Sequence, residues 1–392
     1  MLRVLFFVEG FTDIRYVTGL AAIADLTLCV PEGAYASSGL KDRVAASGAR
    51  VHVHEIPGGR LAYQWRSLAW LWQHAREFHV IHSQELLRGS LNATIVGRLR
   101  GVPVVTTMLL APVEYFRCRR ERGQIGMLEA LAGEVVIRTL MSINGRLSTR
   151  CAALGLYLQG VARQYCARTV PGWYYGVDTG FYSPGPPEQR TELRRALDLP
   201  ERAFLIFLAS RISHEKDPET VLRATYALRQ QGHDAVLLNL SGGYREFIDL
   251  AGRLGLPDAD AWVIGRPPAH PMHELANYFR AADVVAQASL AEGLGLSPLE
   301  ALACGTPVVA TDVGGMSTTL PGHAHMVPVR DVDAMTRAFA AIAADPEAAR
   351  RQALEGRRMV ERDWSRERAF AGLRATFEEV AAATRGGQPG LP

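Results

Sequence analysis

The chain has 392 residues, 43 Lys+Arg against 40 Asp+Glu, a formal charge of +3, and 48% hydrophobic residues. At roughly 100–200 residues per domain, that length predicts two domains. The apolar content excludes a disordered or collagen-like chain, and a charge excess of three without a Lys/Arg stripe argues against a nucleic-acid binder.

Residues 1–10 carry an apolar run with no cleavage pattern after it. The run is too short to span a membrane and reads as a first buried strand. Further strands are expected at 26–30, 51–54, 80–82, 102–107 and 135–139, with amphipathic stretches at 61–76 and 91–99 between them. This is the beat of a mostly parallel sheet covered by helices. A Pro/Gly-rich segment at 183–188 reads as a linker. The beat then restarts. Strands are expected at 205–209, 236–240, 261–264, 284–286, 307–310 and 325–328, and helices at 218–230, 246–254, 272–280, 298–303, 332–344, 347–361 and 364–383. Two doubly wound α/β domains follow, with ligands expected outside the carboxyl ends of strands. Five cysteines (Cys29, Cys118, Cys151, Cys166, Cys304) are widely spaced without a Cys-x-x-Cys. They read as buried free thiols in a reducing compartment, and the expected location is the cytoplasm.

Three segments carry candidate chemistry. In the first, Glu292 and Glu300 lie eight apart around Gly293-Leu294-Gly295-Leu296. The glycines allow close backbone approach to a ligand, and a helix amino terminus there offers free N–H groups to an anion. A structural reading stands beside this one: Ser297 caps the helix, Pro298 occupies its first turn and Glu300 completes a capping box. In the second, Arg211 and Lys216 follow the strand at 205–209 and could converge on one diphosphate, the arginine as a planar fork and the lysine as a point charge. Third come Gly242-Gly243 after the strand at 236–240 and Gly265-Arg266 after the one at 261–264, where backbone N–H groups can approach a phosphate. No Walker A loop, dinucleotide fingerprint, zinc-hydrolase motif or Gly-x-Ser-x-Gly elbow is present.

The block from Glu292 to Gly315 resembles the Glu-x7-Glu signature of the GT-B fold glycosyltransferases of family 4, retaining enzymes that use nucleotide sugars. Arg211, Lys216, the Ala282-Asp283-Val284-Val285 strand entry and Tyr175-Gly176-Val177-Asp178 extend the likeness across about residues 172–364. The resemblance implies two Rossmann-like doubly wound domains facing across a cleft, with a C-terminal helix crossing back to the first. It divides the chain into an N-terminal acceptor-binding domain (1–183), a linker (184–196), a nucleotide-sugar domain (197–362), the returning helix (363–383) and a flexible tail (384–392). It implies that Arg211 and Lys216 bind the donor diphosphate, Glu300 the ribose hydroxyls and Glu292 the transferred sugar. Gly242, Gly265, Arg266, Gly293, Leu294, Gly295 and Leu296 line the donor site, and Gly314 and Gly315 lie beyond its phosphate side. No metal or other cofactor is expected, and the donor is a UDP-sugar by analogy with relatives. The sequence departs from the family where Glu9-Gly10-Phe11 replaces a glycine pair, where no histidine occurs in Thr106–Pro112, and where Tyr175 replaces an asparagine.

On the acceptor side, Glu9, Asp13, Glu85 and Glu114 fall at or after predicted strand ends, with His82 nearby. Such acids suit a hydroxylated, cationic acceptor such as an aminocyclitol or amino-sugar antibiotic intermediate. Two rival readings remain. One is a lipid or polysaccharide acceptor reached through the tryptophan-rich stretch 61–72, although that stretch also reads as core against a sheet. The other is a non-catalytic nucleotide-binding or scaffold protein, against which the complete Arg211, Lys216, Glu292 and Glu300 set argues.

Overall fold

In a computed structural model of the chain, the described residues are 1–10, 12–121, 123, 125–186, 189–241, 244–267 and 273–385. They form two compact units. One comprises Met1–Val113, Gly126–Gly176 and the chain from Glu367 on; the other comprises Glu114–Ile125 and Val177–Arg366.

The first unit holds a seven-stranded sheet: β1 (Arg3–Phe7), β2 (Asp25–Pro31), β3 (Val51–Ile56), β4 (Val80–Ser83), β5 (Val104–Met108), β6 (Arg150–Leu154) and β7 (Thr169–Gly172). The order is β3-β2-β1-β4-β5-β6-β7, and every pairing is parallel. Short apolar runs such as Arg3–Phe7 and Val104–Met108 form buried strands because both faces of a parallel sheet are covered by helices. The direction of winding reverses between β1 and β4, so the loops leaving those two strands splay apart and leave a crevice.

The second unit repeats the plan with β8 (Phe204–Leu208), β9 (Ala235–Asn239), β10 (Val263–Gly265), β11 (Val284–Gln287), β12 (Val308–Thr311) and β13 (His325–Val327). Its order is β10-β9-β8-β11-β12-β13, again all parallel. The reversal here lies between β8 and β11. One core face joins Ile206, Leu237, Val284 and Val309 to Phe247, Trp262 and Phe339.

Several expectations are corrected. The strand expected at 135–139 lies inside the helix Met127–Leu147. Its β-branched residues Val135 and Val136 are exposed, so no sheet burial rewards a strand there, and the surrounding Leu, Ala and Glu favour helix. β6 and β7 supply the strands that reading missed. The segment expected as a linker, 184–196, carries a helix in its second half. From Val177 the chain packs within the second unit, and Arg190–Ala196 is a helix anchored by Arg190 and Arg194, each 2.6 Å from Asp283. Arg194 is buried, and its guanidinium also reaches the carbonyls of Ala281 and Ala203. The last helix runs Arg366–Arg385, so residues 384–385 are helical and the rest of the expected tail lies outside the described residues.

All five cysteines are buried and free. No helix of the described residues is long and apolar enough to cross a membrane. The tryptophan-rich helix Arg60–His74 buries Tyr63 and Leu71 in the core but leaves Leu61, Trp65 and Trp72 exposed, so it is core on one face only.

Candidate active site

In the second unit, the loops leaving β8 and β11 meet at the crevice between those strands. After β8 comes Ser210–Asp217. Asp217 takes a left-handed conformation (φ 44°) and caps the helix Pro218–Gln230, accepting from the Thr220 N–H and hydroxyl. Asp-Pro thereby ends the loop at a fixed point, one residue beyond Lys216. The N–H of Leu290 donates to the Glu215 carbonyl at 2.8 Å, stapling the two loops together.

The staple places Lys216 Nζ 2.5 Å from Glu292 Oε2, and both side chains are largely buried. Two more donors reach the same oxygen: Gln287 Nε2 at 3.2 Å and Ser289 Oγ at 3.1 Å. Gln287 is buried at the end of β11, and the Thr311 hydroxyl in turn holds the Ser289 carbonyl. Three donors on one oxygen fix the carboxylate's orientation and leave Oε1 without a donor among the described residues. The Gln287 side-chain Oε1 and the His214 Nε2 atom are also buried without a hydrogen-bond partner among them.

The Glu292 loop sits directly on Gly314 and Gly315. A Cβ at Gly314 would stand 2.0 Å from the Glu292 carbonyl oxygen, and one at Gly315 2.0 Å from that of Gly293. The glycine pair therefore backs the Glu292 loop; the expectation set it beyond the phosphate side. Gly295 has φ 87° and is itself the N-cap of the helix Leu296–Ala303. That removes the expected Ser297 cap and its capping box: the helix starts one residue before Ser297, whose hydroxyl instead donates to the Ala209 carbonyl at 3.1 Å. Leu294 is buried beside Gly293, and Glu300 is buried on that helix.

Arg211 and Lys216 make their direct ion pairs with different carboxylates. The Arg211 side chain is 78% exposed and contacts Glu215 Oε1 at 3.3 Å. Burial opposes ionisation of Glu215, but the Ser213 hydroxyl, a backbone N–H, Arg211 and Lys216 together hold its carboxyl below the usual range. Arg266 pairs with Asp198 at 2.7 Å, and the N–H of Arg266 donates to Asn239 at the end of β9. Gly265 closes β10, and Gly242 lies outside the described residues.

Three neighbours were not singled out in the sequence. Gln287 and Asn239 each end an apolar strand with a buried amide, a signal that was legible. Asn239 donates to the carbonyls of Leu208 and Ser210 and accepts from Ser241, tying together the loops after β8 and β9. Tyr115 comes from the segment 114–125. Burial first, then the negative charges of Glu292 and Glu215, raise its hydroxyl's pKa. The same segment is held by Glu121, 2.8 Å from Arg330.

The acceptor-side candidates separate into different roles. His82 is fully buried: its Nδ1–H donates to the Val105 carbonyl at 2.9 Å, so Nε2 accepts from the Tyr16 hydroxyl at 2.6 Å. Both nitrogens are occupied, and His82 is withdrawn as an acceptor-side group. Asp13 caps the helix Ile14–Ile23 and pairs with Arg15, a structural task. Glu114 stands on the helix Pro112–Glu121 within the segment that packs in the second unit. Glu9 and Glu85 share a cavity with Tyr63 and Arg88. No group of three or more metal-ligating side chains occurs among the described residues.

The sequence model of the family described as glycosyl transferases group 1 matches residues 189–359. A D-inositol 3-phosphate glycosyltransferase of Actinosynnema mirum is 32% identical over 303 residues, covering 73% of this chain and 69% of that protein. One of Saccharomonospora viridis is 36% identical over 224 residues, covering 54% and 50%. The chain spans about half the length of the first curated relatives it matches. Among solved structures, Anabaena HepE in complex with UDP aligns with a TM-score of 0.75 at 16% identity, covering 97% of this chain and 100% of that one. Sucrose-phosphate synthase of Thermosynechococcus elongatus aligns with a TM-score of 0.71 at 21% identity, covering 97% and 99%. At these identities the structural likeness shows the fold, two Rossmann-like α/β domains of the GT-B type.

Proposed function

This chain belongs to the group 1 glycosyl transferases, and on that premise we propose that it moves a sugar from a UDP-sugar to a small hydroxylated acceptor with retention of anomeric configuration. The observation that carries the reading is the Lys216–Glu292 pair at the crevice between β8 and β11, with Arg211 on the same loop. Breaking a sugar–phosphate bond builds negative charge on the departing diphosphate. Lys216, held in place, and Arg211, extended into solvent, supply fixed and mobile positive charge for it. Charge stabilised more in the transition state than in the bound substrate accelerates the step. Glu292, with Oε2 saturated, offers Oε1 to a hydroxyl of the transferred sugar. Glu300 takes the ribose, and Gly293 to Leu296 line the donor. The two basic side chains do the work that a divalent metal does in other transferases.

The finer reading is an amine-bearing acceptor, an aminocyclitol or amino-sugar intermediate of antibiotic assembly. The acidic character of Glu9 and Glu85 supports it. A lipid-linked acceptor is the second reading, favoured by the exposed Leu61, Trp65 and Trp72. The test is a panel of nucleotide sugars against a panel of acceptors, read by mass spectrometry, with product stereochemistry assigned by NMR. Transfer with retention that survives chelation is expected; inversion or a strict metal requirement refutes the mechanism. Salt-resistant co-sedimentation with anionic vesicles would favour the lipid reading.

A further inference from the structure

The first unit has its own crevice at the reversal between β1 and β4, and the chemistry there is specific. A cavity of about 280 Å³ opens beside Glu9, Pro31, Gly58, Tyr63, Glu85 and Arg88. Glu9 leaves β1, Glu85 and Arg88 follow β4, Pro31 ends β2 and Gly58 follows β3, so loops from four adjacent strands converge on it. This is where a doubly wound sheet takes a ligand.

Three observations describe what fits. First, Tyr63 is 2% exposed, lines the cavity, and its hydroxyl has no hydrogen-bond partner among the described residues. A buried hydroxyl left unmatched costs stability unless a ligand meets it. Second, the two carboxylates converge. Glu85 Oε1 and Glu9 Oε2 lie 2.9 and 3.5 Å from the point a Gly89 Cβ would occupy, so glycine is what lets them approach. Third, the cation present makes its ion pair with one of them and acts on the other only through space. Arg88 lies 2.5 Å from Glu9 Oε1, whereas no hydrogen-bond donor among the described residues reaches the Glu85 carboxylate. Around the rim, Glu32 accepts from the Gly58 N–H and Arg66 donates to the Pro57 carbonyl, one charge of each sign. The cavity thus keeps an excess of negative charge and lies at the small end of ligand pockets, the size for a single ring.

We propose that this cavity binds the acceptor as one polyhydroxylated ring bearing a protonated amine, with the ammonium on Glu85 and a ring hydroxyl on Tyr63, and that it rejects a phosphomonoester. The proposal rests on the transferase reading above and narrows its acceptor. It also sets this chain apart from the inositol-phosphate enzymes it resembles, because a dianionic phosphate would meet two carboxylates with Arg88 already paired.

The test is calorimetric titration of the full chain, saturated with UDP, with 2-deoxystreptamine, myo-inositol and D-myo-inositol 3-phosphate. The diamine is expected to bind at least about tenfold tighter than either inositol, with that gap closing in Glu85→Gln and binding falling about fivefold in Tyr63→Phe. Stronger binding of the phosphate, no binding of the diamine, or unchanged affinities in both variants overturns the proposal. UDP binding, measured first in every variant, separates the outcomes. UDP bound with no preference for the diamine refutes the cavity's assignment alone, whereas a wild-type chain that fails to bind UDP refutes the transferase reading beneath it.

Discussion

Lys216 Nζ and Glu292 Oε2 stand 2.5 Å apart although 76 positions separate the residues in the chain. They meet because β8 and β11 are neighbours in the sheet and the Leu290 N–H clamps the two loops. Replacing Lys216 by Ala leaves a largely buried carboxylate without its cation and, on the proposed function, removes the fixed charge assigned to the leaving group. Lys216→Ala and Glu292→Gln are each expected to lower turnover at least about tenfold, or 1.4 kcal/mol. Steady-state kinetics with the preferred donor checks this, and near-wild-type rates in both would refute the site.

Gln287 orients Glu292 through a buried amide, so its loss should damage catalysis more than donor binding. In Gln287→Leu, kcat is expected to fall about tenfold with UDP affinity within about twofold of wild type. Adding Gln287→Leu to Glu292→Gln should cost little more, because the amide acts through that carboxylate. Additive losses would show that Gln287 acts elsewhere.

Gly314 and Gly315 leave no room for a side chain. Gly315→Ala forces a methyl group onto the Gly293 carbonyl without asking for an unusual backbone conformation, so its effect isolates the contact. Overpacking of this kind costs about 1–3 kcal/mol. Thermal unfolding should report that loss, and the displaced Glu292 loop should lower turnover beyond it. An unchanged melting temperature would mean the loop moves aside freely.

His82 makes the first unit sensitive to acid. Its burial drives the imidazole pKa down to about 4, while the unfolded chain titrates near 6.5. Between those values the unfolded state binds the extra proton, so stability is complete above pH 6.5 and declines as pH falls toward 4. The loss approaches about 3 kcal/mol from this residue. Denaturant melts from pH 7 to pH 4 should show it, and His82→Leu should flatten that part of the profile. An unaltered slope would refute the assignment.

The order of elements in the second half was legible because each strand there is a compact apolar run bounded by turns, and the Glu292–Gly315 block is dense in residues with steric tasks. The helix Met127–Leu147 was misread where Val135-Val136-Ile137 imitates a strand, since local β-propensity says nothing about whether a sheet lies within reach. The same limit divides the site. Charge and glycine spacing are local properties, so the sequence by itself determined two α/β domains, and its likeness to the family named Arg211, Lys216, Glu292 and Glu300 as the set to watch. Sheet order is a long-range property. It decided that Lys216 would close on Glu292 while Arg211 stays exposed beside Glu215. Within the loop after β11, Gln287 and Ser289 reach one oxygen of Glu292 from five and three positions away and Gly295 takes the cap expected of Ser297, so these contacts are local and sheet order only brings Lys216 to them. Sheet order also spent both nitrogens of His82 inside the core, while leaving the hydroxyl of Tyr63 unmatched beside Glu9 and Glu85. Hydrogen-bond partners lying 23 to 88 positions apart cannot be read from spacing. They exist only once parallel strands, distant in sequence, are laid side by side.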